Sequence, residues 1–237
     1  MAVLDRKIAV IVGGGRGLGR TIAVTFGRVG ARVVLAARTA SELESAAAEV
    51  RAAGGEAVPV TTDATREEEV RHLARWTRDA YGEPDILVNC AGEALLKPLA
   101  EITWDEWQRI LAVNLGSVFL TMREFLPGMM ARGRGAIINL ASRAAITGAP
   151  AASVYGSAKA GVIAFTKCWT KEAAAHGVQL AVIAPGPMDT PMRWAATPAF
   201  DRTHVIPPQA VADLVLLAVS TPNLVYDEVL IPVSINY

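Results

Sequence analysis

The sequence is poor in the residues that cross-link small folds or bind metals: its 237 residues include two cysteines and three histidines. Cys90 and Cys168 each lie inside an apolar segment, so both are predicted to be core residues without a disulfide framework. His72, His176 and His204 lack the spacing of metal ligands, so no metal site is predicted. The low cysteine content is typical of proteins in the reducing cytoplasm.

The sequence also lacks an excess of one charge and any long apolar run. Lys plus Arg and Asp plus Glu both number 23, so the formal net charge is zero. This balance provides no basic stripe for a nucleic acid or a membrane surface. The apolar run at residues 8–12 is shorter than the hydrophobic region of a signal peptide, and no uninterrupted run has transmembrane length. We expect a cytoplasmic protein without a nucleic-acid or membrane partner.

What the sequence does contain is a regular alternation of short β-branched runs and longer segments of helical period. Its length and its 52% of hydrophobic residues suit one domain over residues 1–237. The predicted strands are 7–12, 32–36, 56–61, 86–89, 135–140, 178–184 and 229–232. The predicted helices are 17–29, 40–53, 66–81, 103–130 with a break at Pro127, 153–176 and 208–220. This order predicts an α/β fold of the Rossmann type, with a doubly wound, seven-stranded, mainly parallel sheet and helices on both faces.

One long segment, at about 187–207, has no predicted regular structure and is rich in proline, methionine and tryptophan. It follows the carboxyl end of a predicted strand, where folds of this type bind ligands. We predict a substrate loop in which Met192, Trp194 and Phe200 line an apolar pocket.

A glycine-rich turn, GGGRGLG at residues 13–19, lies between the first strand and the first helix. Glycines permit a sharp turn and let backbone N–H groups approach a pyrophosphate at the helix N-terminus. The spacing is G-x-x-x-G-x-G rather than G-x-G-x-x-G. The same residues also differ from a P-loop by one residue, because Arg20 stands where a P-loop has lysine. A P-loop NTPase is therefore one alternative.

The end of the second strand bears on the choice of cofactor. NAD sites place a carboxylate there for the ribose 2′-hydroxyl, whereas this strand ends Ala36-Ala37-Arg38. Arg38 and Arg16 together suit a 2′-phosphate, since guanidinium groups bind phosphate with two charge-assisted hydrogen bonds. The alternative is that both are solvated surface charges. The missing acid favours NADP(H) over NAD(H).

Tyr155 and Lys159 are spaced i, i+4, which places both on one face of the predicted helix 153–176. Ser142 follows the apolar strand 135–140 and lies at the edge of the sheet where ligands bind. By itself a Y-x-x-x-K pair is a weak motif, and an exposed tyrosine and lysine are the alternative.

Taken together, the motifs resemble the classical short-chain dehydrogenase/reductase family over nearly the whole chain. They occur in the family's order: the glycine turn, Asp63, Asn89-Cys90-Ala91-Gly92, Asn114, Ser142, Tyr155 with Lys159, Pro185-Gly186 and Thr190. The resemblance implies that Tyr155 exchanges the proton, that Lys159 lowers its pKa and binds the nicotinamide ribose, and that Ser142 holds the substrate oxygen. It also implies that Asn114 supports a proton relay.

The same resemblance implies a set of cofactor-binding residues. These are Gly13, Gly15, Arg16, Gly17, Leu18, Gly19, Arg38, Asp63, Ala64, Asn89, Ala91, Gly92, Tyr155, Lys159, Pro185, Gly186, Met188 and Thr190. The chain departs from the family at Val12, where threonine is usual, at Cys90, where asparagine is usual, and at its carboxyl end, residues 231–237. These departures bear on loop geometry and on subunit association.

The predicted function is NADP(H)-dependent hydride transfer to or from a small carbonyl or secondary alcohol substrate, by a ketone reductase or an alcohol dehydrogenase. A 3-oxoacyl-thioester reductase is one option, with Arg132 and Arg134 as a dock for an acidic carrier protein. The alternative class is a nucleotide-binding regulator without turnover. Apolar residues on more than one side of helix 153–176 predict self-association, and the family resemblance implies a homodimer or homotetramer formed through this helix. Arg143 is predicted to be a surface charge.

Overall fold

A six-stranded parallel sheet forms the centre of the protein, seen in a computed structural model that describes residues 3–221 and 232–233. The strands are β1 (Ile8–Val12), β2 (Arg32–Ala37), β3 (Glu56–Thr61), β4 (Ile86–Asn89), β5 (Gly135–Leu140) and β6 (Val178–Ile183). Their order is β3-β2-β1-β4-β5-β6, and every neighbouring pair is parallel. The doubly wound α/β architecture predicted from the sequence is confirmed.

Helices connect the strands and cover both faces of the sheet. They are α1 (Gly17–Arg28), α2 (Ala40–Ala52), α3 (Glu67–Tyr81), α4 (Trp104–Leu111), α5 (Ser117–Arg132), α6 (Ala144–Thr147), α7 (Ser153–Ala175), α8 (Pro191–Ala196) and α9 (Pro208–Ser220). Helices α1, α2 and α9 bury their apolar side chains against one face of the sheet. Helices α3, α5 and α7 bury theirs against the other.

The strands are apolar throughout because both of their faces are covered. All five residues of β1 are buried, and Ile11 belongs to one core cluster while Val10 belongs to the other. A parallel strand that packs against helices on both sides needs such a run rather than an alternating pattern. The hydrophobic runs of the sequence therefore follow from the position of each strand in the sheet.

Strand order reverses between β1 and β4, which both start connections that run in opposite directions along the sheet. The crevice outside the carboxyl ends of two such strands is where open α/β sheets bind ligands. The glycine turn follows β1 directly, and Cys90 and Ala91 follow β4. The fold therefore brings these two segments to one crevice.

Two sequence predictions about regular elements need comment. The predicted seventh strand at 229–232 falls on residues 229–231, which lie outside the described residues, and on Pro232, which belongs to no strand. The predicted break at Pro127 is wrong, because α5 continues to Arg132. Proline removes one helical hydrogen bond, but Leu126 and Met129 on either side of it remain buried in the core and hold the helix together.

The stretch Trp104–Arg132 is one helical run in which a π-turn, Ala112–Gly116, joins α4 to α5. By length and composition it resembles a membrane span, but half of its most apolar window is buried inside the protein. Packing against the sheet accounts for that apolar composition. The π-turn matters for function because such turns are frequent at functional sites, and this one contains Asn114.

Candidate active site

The glycine turn is packed so tightly that side chains are excluded from it. A Cβ atom on Gly13, whose φ is 86°, would lie 2.6 Å from the backbone nitrogen of Ala91. A Cβ on Gly19 would lie 2.2 Å from the carbonyl oxygen of Gly13. The turn therefore presents bare backbone at the N-terminus of α1, the arrangement that a dinucleotide pyrophosphate requires. A nicotinamide dinucleotide fits this cradle.

A cleft of about 230 Å³ opens above this turn. Most of the predicted cofactor residues line it: Gly13, Gly15, Arg16, Gly17, Leu18, Gly19, Arg38, Asp63, Ala64, Ala91, Gly92, Tyr155, Lys159, Pro185, Met188 and Thr190. The lining also includes Met192, predicted for the substrate loop, and Cys90 of the Asn89–Gly92 motif. The structure adds residues that no motif marks: Val12, Ala36, Ala37, Thr39, Glu42, Thr62, Thr65, Val113, Ser117, Leu140, Ala141 and Pro191. Of the predicted residues, Asn89 and Gly186 are not part of the lining. The missed residues are mainly sequence neighbours of predicted ones.

Asp63, after β3, lines the cleft and is held in its charged form. Burial raises its pKa, but hydrogen bonds from the backbone N–H (3.0 Å) and hydroxyl (2.7 Å) of Thr65 and the charge of Arg38 outweigh that effect. The net result is a pKa below the ordinary value for aspartate. Asp63 is thus an ionised acceptor for a hydrogen-bond donor such as an adenine amino group.

Lys159 lies on α7 with 4% of its surface exposed, and its Nζ donates a hydrogen bond to the carbonyl oxygen of Leu140 at 2.8 Å. Burial lowers the pKa of Lys159 to about 8, because removal from water disfavours the ammonium form. At neutral pH the residue is therefore charged, yet close to its titration point. It provides a positive charge at the floor of the cleft.

Tyr155 lies one turn earlier on α7 and is partly buried. Burial raises its pKa, and this effect outweighs the opposing hydrogen bond with Ser142 and the charge of Arg193. The direction is opposite to the lowered pKa that the family resemblance implies. Tyr155 is therefore protonated at neutral pH in the protein alone, which suits a group that donates a proton. The pairing with Ser142 also brings two of the predicted catalytic residues together.

Asn114 is fully buried and its side-chain amide bonds to backbone on two sides. Its Nδ2 donates to the carbonyl oxygens of Glu93 and Ile110, both at 2.9 Å, and its Oδ1 accepts from the N–H of Glu93 at 3.3 Å. A Cβ on Gly92 would lie 2.9 Å from Asn114 Oδ1 and 3.4 Å from Lys159 Nζ. Asn114 therefore holds the loop after β4 against the lysine, although it does not itself line the cleft.

Asn89 points into the core rather than into the cleft. Its Nδ2 donates to Asn139 Oδ1 and its Oδ1 accepts from Thr121, both at 2.8 Å, and Asn139 in turn donates to Thr166 at 2.8 Å. This buried chain of side chains ties β4 and β5 to α5 and α7. Asn89 thus supports the site from behind instead of contacting the cofactor side directly.

The two cysteines differ in their surroundings. Cys90 is partly buried and lines the cleft, where burial raises the pKa of its thiol to about 12. It is therefore a neutral thiol rather than a nucleophile. Cys168 is exposed on α7, so the prediction of a core residue is wrong for it. The apolar residues next to Cys168 were misleading, because α7 has apolar residues on more than one side and not all of these sides face the core.

The segment 187–207 is more ordered than predicted. It contains α8 and a 3₁₀ turn, and Met188 pairs with Ile206 across its base. Met188 and Met192 line the cleft, as expected for a substrate loop. Trp194 and Phe200 do not: the guanidinium of Arg202 lies 4.0 Å from the Trp194 ring, and that of Arg193 lies 4.9 Å from the Phe200 ring. These stacked pairs brace the loop.

Arg132 and Arg134 precede β5, at the edge of the sheet opposite to Ser142. Arg132 donates to the carbonyl oxygens of Glu83 (2.8 Å) and Pro84 (2.5 Å), and both arginines lie within 4 Å of the Asp85 carboxylate. Six residues of strand, or about 20 Å, separate them from the catalytic edge. Their contacts with Asp85 and their distance from the cleft do not support a carrier dock at these arginines, which stays a prediction.

Comparison with known proteins agrees with this geometry. The model of the family described as short chain dehydrogenase matches residues 7–200. The chain belongs to this family. An uncharacterized oxidoreductase of Staphylococcus aureus strain MW2 is 35% identical to this short-chain dehydrogenase over 223 residues, which are 94% of this chain and 95% of that protein.

Two further relatives carry more specific names. A 3-oxoacyl-[acyl-carrier-protein] reductase of Synechocystis sp. is 35% identical over 193 residues, covering 81% of this chain and 78% of that protein. The crystal structure of a variant of actinorhodin polyketide ketoreductase with NADPH superposes with a TM-score of 0.93 at 31% identity, covering 99% and 98% of the two chains. This short-chain dehydrogenase is an oxidoreductase acting on alcohol and carbonyl groups with a nicotinamide cofactor. The alternatives of a regulator and of a P-loop NTPase are not favoured.

The titration of Lys159 gives a testable pH effect on stability. Its pKa falls from 10.5 in the unfolded chain to about 8 in the folded protein, so the unfolded state binds more protons between these values. Folding stability attributable to Lys159 therefore rises with pH across this window, by about 3 kcal/mol in total. We expect the free energy of unfolding of wild type, minus that of Lys159→Met, to increase from pH 8 to pH 10.5 in urea titrations.

Lys171→Met is the matched control for that measurement, since it removes an exposed lysine from the same helix. A difference between wild type and Lys159→Met that stays constant over the window contradicts the assignment of a lowered pKa to Lys159.

Proposed function

We propose that the chain is an NADP(H)-dependent oxidoreductase of ketones and secondary alcohols, whose catalytic residues are Ser142, Tyr155, Lys159 and Asn114. The observation that carries the proposal is the convergence of these groups at one end of the nucleotide cleft. Tyr155 and Lys159 line the cleft, Ser142 hydrogen-bonds with Tyr155, and Asn114 holds Gly92 beside Lys159. A protein that only binds nucleotide has no need of this arrangement.

The roles of the side chains follow from their protonation. In reduction, Tyr155 donates its phenolic proton to the carbonyl oxygen of the substrate, and Ser142 orients that oxygen by a hydrogen bond. The positive charge of Lys159 favours the phenolate that remains. The bound nicotinamide supplies the hydride in reduction and accepts it in oxidation. In oxidation Tyr155 removes the proton of the alcohol, so the same residue serves both directions.

Four features support NADP(H) rather than NAD(H). Arg16 and Arg38 line the adenosine end of the cleft, β2 ends without a carboxylate, and the structurally similar ketoreductase carries NADPH. Arg38 is exposed to the cleft and its charge reaches Asp63. In this proposal the two guanidinium groups bind the 2′-phosphate, each through charge-assisted hydrogen bonds. In the proposal the other predicted residues that line the cleft contact the cofactor, whereas Asn89 and Gly186 support the segments next to it.

Arg38→Gln tests the cofactor preference. Loss of one charge-assisted contact is expected to raise the Kd of NADPH about tenfold and to leave the Kd of NADH within about twofold of wild type. Binding is measured by titration of the intrinsic tryptophan fluorescence with each dinucleotide. Arg28→Gln, which removes an exposed arginine from the far end of α1, is the control. An equal loss of both cofactors in Arg38→Gln contradicts a contact to the 2′-phosphate.

The substrate side of the proposal rests on the segment 187–207, where Met188 and Met192 give the cleft an apolar wall. A 3-oxoacyl thioester is one candidate substrate, supported by the relative named a 3-oxoacyl-[acyl-carrier-protein] reductase. In the proposal the whole of residues 1–237 is one catalytic domain in the cytoplasm. It associates as a homodimer or homotetramer through α5 and α7, where Phe119 is 44% exposed and packs edge-on against Phe165.

The experiment that tests the function is oxidation of NADPH and of NADH by the purified chain, followed at 340 nm with a panel of ketones, aldehydes and 3-oxoacyl thioesters. We expect turnover of at least one class, faster with NADPH. Tight dinucleotide binding without turnover across the panel contradicts an enzymatic role for the four residues. Faster turnover with NADH contradicts the cofactor preference alone.

A further inference from the structure

A carboxylate lies at the adenosine end of the cleft, beside the two arginines proposed for the 2′-phosphate. The side chain of Glu42 lines the cleft together with Arg16, Arg38 and Thr39. The second strand ends without an acid, but Glu42 in the first turn of α2 brings one to the same place. A negative group here is unfavourable for a phosphate that carries close to two negative charges. How strongly Glu42 disfavours the phosphate depends on its position relative to Arg16 and Arg38.

Glu42 is held in position by packing against the glycine turn. Its Cβ would lie 3.2 Å from a Cβ built on Gly15, and its Oε2 would lie 3.6 Å from the same point. Arg20 faces it from α1 and is itself fixed, donating to Glu49 at 2.7 Å and to Ser45 at 3.0 Å. The hydrogen bond to Glu49 raises the pKa of Arg20, and the charge of Glu42 adds to that shift. The carboxylate therefore lies within the electrostatic reach of a second cation besides Arg16.

Arg16 is the more movable partner. Its Nη1 lies 3.5 Å from Glu42 Oε1, a single long contact, and 67% of its side chain is exposed against 36% for Glu42. Exposed ion pairs with one contact are weak. An incoming phosphate therefore takes Arg16 away from Glu42, whereas the glutamate stays beside the cleft.

We propose that Glu42 is a specificity-determining residue that weakens the binding of NADP(H) relative to NAD(H). It does so in two ways: it competes with the 2′-phosphate for Arg16, and its own charge repels that phosphate. NAD(H) carries a neutral 2′-hydroxyl and meets neither effect. The inference rests on the proposed placement of the 2′-phosphate between Arg16 and Arg38. The preference of the chain for NADP(H) over NAD(H) is therefore smaller than it would be with Arg16 and Arg38 present and Glu42 absent.

Glu42→Gln is the test, with the Kd of NADPH and of NADH measured on the full chain by isothermal titration calorimetry. We expect the Kd of NADPH to fall about fivefold and that of NADH to stay within about twofold, because only the phosphate gains from the loss of charge. Glu44→Gln is the control, since it removes the same charge from the exposed side of α2, outside the cleft lining. It is expected to change neither value.

Two outcomes overturn the proposal. A weaker NADPH complex in Glu42→Gln shows that Glu42 orients Arg16 for the phosphate instead of opposing it. An equal gain for NADPH and NADH shows a general effect of charge. The same substitution in an Arg16→Gln background separates the two mechanisms: a remaining gain for NADPH supports direct repulsion, and no remaining gain supports competition for Arg16.

Failure of this inference is distinguishable from failure of the proposed cofactor preference. The preference is read from the ratio of the two Kd values in wild type. The role of Glu42 is read from the change in that ratio on substitution. A wild type that prefers NADH contradicts the proposed cofactor preference. It still allows the ratio of the two Kd values to change about fivefold in Glu42→Gln.

Discussion

Tyr155→Phe is expected to lower kcat about a thousandfold and to leave the Kd of the dinucleotide within about twofold of wild type. The substitution keeps the ring and removes the hydroxyl that pairs with Ser142 and that, in the proposed function, donates the proton. Among the described residues around Tyr155, the thiol of Cys90 has its pKa raised to about 12 and Ser142 is a weak acid, so both are poor replacements. The ammonium of Lys159 donates to the carbonyl oxygen of Leu140 instead. Single-turnover oxidation of NADPH measures the chemical step, and fluorescence titration measures binding.

The control for this prediction is Tyr81→Phe. Tyr81 ends α3, packs edge-on against Trp76 and is not part of the cleft lining. It reports the effect of losing a tyrosine hydroxyl outside the site. A Tyr155→Phe variant that keeps more than about a tenth of wild-type kcat refutes Tyr155 as the proton donor.

Gly19→Ala is expected to raise the Kd of both dinucleotides about a hundredfold. The added methyl group would lie 2.2 Å from the carbonyl oxygen of Gly13 and 3.2 Å from the Cα of Gly14, so only a backbone shift relieves the clash. Such overpacking costs about 1–3 kcal/mol, and the shift also misaligns the backbone N–H groups at the proposed pyrophosphate site. Dinucleotide titration gives the loss of binding, and urea unfolding gives the loss of stability.

Two further variants serve as controls for this prediction. Gly116→Ala is the matched control, because its added methyl has a single neighbour, at 3.8 Å. Gly17→Ala is the milder case: the nearest atoms are 3.7 Å away, but the φ of 53° disfavours a side chain. We expect its loss of binding to lie between those of the other two. Normal dinucleotide affinity in a folded Gly19→Ala protein excludes the glycine turn as the pyrophosphate site.

The sequence predicted the fold well because its signals are local. Buried parallel strands such as β1 are apolar at every position, and the helices between them carry a clear 3.6-residue period. The error at Pro127 shows the limit of such signals. The rule that proline ends helices describes one lost hydrogen bond, whereas the burial of Phe125, Leu126 and Met129 along the same helix outweighs it.

The cleft was predicted less completely because parts of it depend on long-range contacts. Glycine spacing marked residues 13–19 and the Y-x-x-x-K pair marked Tyr155 with Lys159, since both motifs lie within one turn or helix. Glu42 carries no motif, and only the packing of α2 against the turn brings it to the cleft. The direction of the Tyr155 pKa shift also required the structure, because the spacing of residues in a motif does not show how deeply a side chain is buried.

The pairing of β1 with β4 joins two segments that lie far apart in the chain. β1, β2 and β3 follow one another in the chain, whereas the register of Ala9 with Ile86 closes a long loop. Closing this loop costs chain entropy, which the contacts of the folded protein must offset. The approach of Gly13 to Ala91 exists only after that closure. A dinucleotide bound at this crevice therefore favours the paired arrangement of β1 and β4, and it raises the free energy of unfolding as its concentration exceeds its Kd.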